Sequence, residues 1–310
     1  MTKNDFELLL VTFIWAVNGI AVKDAVSKFL PLQFNVIRLG VAAATLFVIM
    51  IATGQFRVPS KRDWPLILLA GVLGNTFYQY LFIKGISMST ASNTSFVLAT
   101  MPATTAVLSH FLGKQRLTRR MWFGVLLTLV GVTLIIIGGS ENGRIGGTGI
   151  PMGGTMLGDL ITLSGTIGWC LYTVLSADLV DRLDPTAATT WTMFAGVIFL
   201  IPLALPELRS ATWSNIGILA WGELLFSAVF ALAVSYILWN RGVKESGPAR
   251  TAVFGNLPPV WTGILGWLFL NEKWTFVKFI GAGIILFGVS MVRSRPAGDK
   301  KEVVEVAEKL

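Results

Sequence analysis

The 310-residue chain is 54% apolar and only 14% charged, whereas a soluble domain runs at about a quarter charged, and its mean hydropathy is +0.69. That composition excludes disorder, a coiled coil and a nucleic-acid-binding domain, and the net charge of +8 is what cytoplasmic loops confer on a membrane protein. One cysteine, Cys170, and one histidine, His110, exclude an internal disulfide and a histidine metal cluster, so neither metal nor cofactor is expected.

A charge at the bilayer centre costs roughly 2.5 to 3.5 kcal/mol on insertion scales, so uncharged windows mark the spans. In chain order they run Leu8 to Val22, Leu39 to Phe56, Trp64 to Ile83, Gly85 to Gly113, Met121 to Ser140, Leu160 to Ala177, Pro185 to Pro206, Leu224 to Asn240, Thr251 to Asn271 and Phe279 to Val292. Most approach the roughly 20 residues that cross a bilayer, which predicts an all-α integral membrane protein with ten transmembrane helices. The alternating segments of a β-barrel are absent. No small-residue cleavage site follows the first window and Lys23-Asp24 interrupts at once, so that window is read as an uncleaved helix. With the N-terminus inside, seventeen Lys and Arg fall on the cytoplasmic side and seven opposite, with Arg38 inside a span. Both termini are therefore expected in the cytoplasm, and the protein in the inner membrane, embedded in lipid as a monomer or weak homodimer.

The chain also repeats itself. Trp15 and Pro31 keep the spacing of Trp169 and Pro185, and Trp64 and Gly85 that of Trp221 and Gly242. From Gly85 an offset of 157 aligns Thr94 with Thr251, Pro102 with Pro259, Thr105 with Thr262, Gly124 with Gly281 and Gly131 with Gly288. This divides the chain into a first five-helix repeat (1–138), a Gly-rich linker (139–155), a second repeat (156–292) and a charged cytoplasmic tail (293–310). Five is odd, so the second copy enters the membrane inverted, the arrangement of secondary transporters with a midplane site between halves.

These residues carry a family resemblance. Ile83-Lys84-Gly85, Ala91-Ser92-Asn93-Thr94, Met101-Pro102 and Phe111 to Thr118 in the first copy resemble the EamA-type module of the drug/metabolite transporter superfamily. So do Asn256 to Val260, Leu270 to Thr275 and Gly281 to Val289 in the second. Gln115 stands where the second copy has Glu272. The Trp-rich, ten-helix layout resembles the YddG-type exporters of aromatic and other amino acids. The resemblance implies a transporter, not an enzyme, with predicted spans 1, 3, 4, 6, 8 and 9 around a cavity.

Polar and aromatic residues within spans are the candidates for binding an amino acid-like solute: Trp15, Asn18, Asn75, Tyr78, Gln79, Asn93, Trp169, Ser235, Trp239 and Asn256. Helical spacing puts Asn75, Tyr78 and Gln79 on one stripe, and intramembrane amides and indoles are costly unless used. Ser and Thr are read equally well as packing between helices. Pro102 and Pro259, at equivalent mid-span positions, predict kinks that free the carbonyls of Leu98 and Gly255 and serve as hinges. Arg38, seven residues past Pro31, is placed in the outer third of its helix, where it snorkels or contacts a substrate carboxylate. A sugar-phosphate carrier needs more midplane cations, a cation-drug antiporter a carboxylate in the first helix, and an enzyme clustered acids or histidines. A passive channel is the remaining alternative.

Overall fold

The computed structural model describes residues 3–111, 117–138, 152–211, 213–246, 251, 254–270 and 275–293. Most of the expected linker and tail, and both Gln115 and Glu272, lie outside them. Every regular element among the described residues is helical.

Two long helices open the chain, α1 (Lys3–Ala25) and α2 (Pro31–Ala52), the second started by a proline whose fixed φ suits the first helical position. The next rod is α3 (Trp64–Gly71), a π-helical stretch (Val72–Phe77) and α4 (Tyr78–Met88). After it come α5 (Ala91–Leu98), α6 (Met101–Phe111) and α7 (Arg119–Gly138). Then α8 (Met152–Leu183) and α9 (Pro185–Ser210) are joined through Asp184 alone, whose Oδ1 accepts from the Thr186 and Ala187 amides at 2.9 and 3.1 Å and so caps α9. A second rod comprises α10 (Ile218–Phe226), a π-helical stretch (Ser227–Val234) and α11 (Ser235–Ser246). The described chain closes with a 3-10 turn (Phe254–Asn256), α12 (Pro258–Leu270) and α13 (Phe276–Arg293).

Six helical stretches among the described residues are long and apolar enough to cross a membrane: Asn4–Ala25, Pro31–Ala52, Trp64–Met88, Met156–Leu183, Pro185–Ser210 and Ile218–Glu245. The expected fourth span is not one kinked helix. Its first half, α5, ends at Leu98, Ala99 and Thr100 form a turn, and Pro102 is the second residue of α6. Pro259 holds the same place in α12. Proline in a first turn forfeits no helical hydrogen bond, so the expected mid-helix kink is corrected at Pro102 to a break between two shorter helices and at Pro259 to a helix start that follows a 3-10 turn.

Glycines set the closest helix contacts. Along α7 and α13, a Cβ on Gly131 would lie 2.7 Å from the Gly281 carbonyl oxygen, and one on Gly288 would lie 2.6 Å from that of Gly124. The two contacts exchange equivalent positions of the sequence repeat. At the end of the molecule where α2 begins, Glu207 accepts from the Leu32 and Gln33 amides at 2.6 and 3.2 Å and from Lys84 at 2.6 Å. Beside it Lys28 bonds Asp24 and lies 3.8 Å from Glu223, whose side chain is 15% exposed.

At the opposite end, the loop before α3 is pinned by Asp63. Its carboxylate accepts from the Ser60 hydroxyl at 2.6 Å, the Ser60 amide at 3.1 Å and Arg182 at 3.3 Å. The Ser60 hydroxyl above all holds its pKa below the ordinary 3.8. A carboxyl depressed on folding stabilises above its ordinary value and loses that contribution as pH falls through the depressed one. Hydrogen-exchange protection of the Ser60 amide should therefore be full at neutral pH and decline below 3.8, and Asp63→Asn should remove the pH dependence. Flat protection in the unmodified protein between neutral pH and pH values well below 3.8 would show that this contact does not hold the loop.

Candidate solute site

Between the two π-containing rods lies a cavity of about 140 Å³, lined from α1, α2, α4, α5, α6, α8, α11, α12 and the π-helical stretch 227–234. A single water needs roughly 10 to 15 Å³ on this measure, so the space suits a small organic solute. One wall is aromatic. Trp169 lies at ring-centroid distances of 5.2 Å from Tyr78, 5.1 Å from Tyr236 and 6.3 Å from Trp15, and Trp15 lies 4.9 Å from Trp239. Trp15 is fixed by donating Nε1 to the Ala231 carbonyl at 3.0 Å, on the π-helical stretch of the second rod.

The polar wall centres on Arg38. Instead of snorkelling from the outer third of α2, it is buried, 1% exposed. Its Nη1 donates to Ser227 Oγ at 3.1 Å, and its Nη2 to Asn35 Oδ1 at 2.7 Å and Gln79 Oε1 at 2.6 Å. Asn35 Nδ2 donates to the Gln79 carbonyl at 2.9 Å, and Gln79 Nε2 donates to the Tyr236 hydroxyl at 2.9 Å. Phe34 and Phe82 rings lie 5.5 and 5.9 Å from the guanidinium. Neutral acceptors and ring faces thus solvate the cation where headgroups would have done so. Gln79 and Tyr236 stand 157 positions apart, so equivalent residues of the two copies are bonded to each other.

Of the residues expected at the site, Trp15, Asn18, Tyr78, Gln79, Trp169 and Trp239 line the cavity together, with Pro102 and Pro259. Asn75, Asn93 and Ser235 are buried but do not line it. Asn93 donates to Asp159 Oδ2 at 3.0 Å, beside Ser89 on the other carboxylate oxygen, and Ser235 donates to the Phe230 carbonyl at 2.8 Å. Asn256 belongs to the 3-10 turn before α12, and its side chain lies outside the described residues. Thr162 and Thr166 bond back to carbonyls of their own helix, as packing residues do. Tyr236 was missed, although the 157 offset pairs it with Gln79. Phe82, Met101 and Thr262 carry no signal that separates them from core residues.

The model of the EamA-like transporter family matches twice, over residues 3–137 and 156–294. The chain belongs to the EamA-like transporter family. It is 31% identical to the uncharacterized transporter YyaM of Bacillus subtilis (strain 168), over 86% of each chain. An uncharacterized transporter of Archaeoglobus fulgidus is 26% identical over 95% of this chain and 98% of its own. A solved crystal structure at 16% identity superposes with a TM-score of 0.67, covering 96% of this chain and all of the other, and so shares the fold. This EamA-like chain is thus a multi-pass membrane protein of a transporter family.

Proposed function

We propose that the protein is a secondary transporter that exports small amphipathic metabolites, amino acids including aromatic ones, by alternating access. The observation that carries this reading is the cavity, whose lining joins the aromatic side chains of Trp15, Tyr78, Trp169, Tyr236 and Trp239 to the polar groups of Arg38 and Gln79. Such a lining takes affinity from apolar surface and orientation from a few polar groups. We infer that Trp15, Asn18, Tyr78, Gln79, Trp169 and Trp239 contact the solute, that Asn75, Asn93 and Ser235 support them from behind, and that the Pro102 and Pro259 breaks are hinges. Purified protein in liposomes, offered labelled amino acids, sugars and organic cations with and without a pH gradient, tests the reading. Saturable, exchangeable amino acid flux supports it, and flux that never saturates or exchanges indicates a channel.

The scaffold proposed is ten membrane segments as two inverted five-segment repeats, 1–138 and 156–292, in the inner membrane with both termini cytoplasmic. The doubled family match and the exchanged glycine contacts of α7 and α13 support it. With Cys170 replaced, cysteines introduced at Ser60, Thr148 and Ser294 are expected to react with an impermeant reagent from outside at Thr148 alone. Outside labelling at Ser294 would refute an even number of crossings.

A further inference from the structure

We propose that Arg38 is the docking point for a carboxylate of the transported solute, so that the substrates are molecules bearing one carboxylate. This rests on the transporter reading of the cavity. A guanidinium keeps its charge in any protein environment, and a full charge inside a membrane protein is retained where a partner or a function compensates it. None of the ion pairs between described residues involves Arg38. The groups it bonds, Ser227, Asn35 and Gln79, are neutral, and the ring faces beside it carry no net charge. The described residues therefore spread this charge without neutralising it.

The guanidinium also has donors to spare. Its three hydrogen bonds use Nη1 and Nη2, while Nε is buried without a partner, on a residue that lines the cavity. Three other cavity-lining residues carry buried unpartnered atoms: Trp239 Nε1, Asn18 Oδ1 and Thr94 Oγ1. Buried polar atoms are normally bonded, so four orphans around one cavity form a complementary set. Arg38 and Trp239 donate to an anion, and Asn18 accepts from an N–H or O–H of the same molecule. Among the described residues that line the space Arg38 is the only cation, with Lys84 held by Glu207 at 2.6 Å, and a single carboxylate matches it where a doubly charged phosphate would leave an excess.

The test uses the purified full-length protein and four probes with the same phenyl group: 3-phenylpropionate, L-phenylalanine, 3-phenylpropionamide and 2-phenylethylamine. The indoles of Trp15, Trp169 and Trp239 report binding through their emission, and the thermal midpoint reports it independently. The two carboxylates should bind about 100-fold more tightly than the amide and the amine, the scale of a charge-assisted bond. Arg38→Gln should level the series, and Arg38→Lys should keep the order at weaker affinity. Equal binding of acid and amide, or a carboxylate preference that survives Arg38→Gln, would overturn the role of Arg38 and leave the cavity as the solute site. If no probe moves either readout, the cavity reading falls together with the proposal. Should Arg38→Gln fail to fold, the wild-type ranking and Arg38→Lys decide.

Discussion

Gly196→Leu should leave no folded protein in detergent extracts, and Gly196→Ala should lower the thermal midpoint clearly. A Cβ at this position would stand 2.2 Å from Asn75 Cβ and 2.9 Å from the Gly71 carbonyl oxygen. Neither atom can swing aside, because one is fixed to the backbone and the other belongs to it. The two helices would have to part, and overpacking of this kind costs about 1–3 kcal/mol for small insertions. Gly40 provides the contrast: it lies in α2 and a Cβ there meets nothing within 4 Å. Gly40→Ala should be neutral or stabilise by about 0.5–1 kcal/mol through helix propensity. Size-exclusion profiles and melting curves of the three variants decide the matter, and an unchanged midpoint for Gly196→Ala would mean that α9 and the first rod are not in backbone contact here.

Trp169→Ala should reduce transport of bulky aromatic amino acids by about 10- to 100-fold while small amino acids lose far less, a differential of about 1.4 to 2.7 kcal/mol. The indole is flanked by Trp15, Tyr78, Tyr172 and Tyr236 at centroid distances of 5.1 to 6.3 Å, so its removal opens the apolar wall at its middle. Tyr78→Ala and Trp239→Ala should act in the same direction. Trp169→Phe, which keeps a ring face, should recover most of the aromatic flux. Equal losses for large and small solutes would mark the residue as packing, since a collapsed cavity does not discriminate by size.

What the sequence discloses here depends on helical regularity. That Trp15, Asn18, Tyr78, Gln79, Trp169 and Trp239 stand out was legible because amides and indoles are rare in apolar helices, and the fold brings them to one cavity. Asn75 was assigned to the stripe of Tyr78 and Gln79 by a period of 3.6, but Val72–Phe77 is π-helical, and a wider turn rotates Asn75 off that face. Ser235 follows the second π stretch and bonds a carbonyl five residues back, a geometry no α-helical wheel anticipates. Arg38 stands near the first third of α2 as expected, but its side chain is buried and does not snorkel. Its burial depends on Asn35, Gln79 and Ser227, drawn from three separate stretches of chain. The irregularity at Pro102 was located to the right residue but given the wrong form, since sequence cannot tell a kinked helix from the two abutting ones found there.

The hydrogen bond between Gln79 and Tyr236 places counterpart positions of the two copies face to face. Two separate identical chains meeting at such a point must set like against like, amide on amide or phenol on phenol. Joining the copies in one polypeptide lifts that obligation, and an amide donor now meets a phenol oxygen. The same freedom governs charge. In the register of Trp15 with Trp169, the counterpart of Arg38 is Thr192, whose hydroxyl is spent on the Ala188 carbonyl of its own helix at 2.8 Å. An unfused pair would bring two guanidiniums into a space that here receives one from the described residues, so the charge they give the chamber rests on a single residue in one of the two copies.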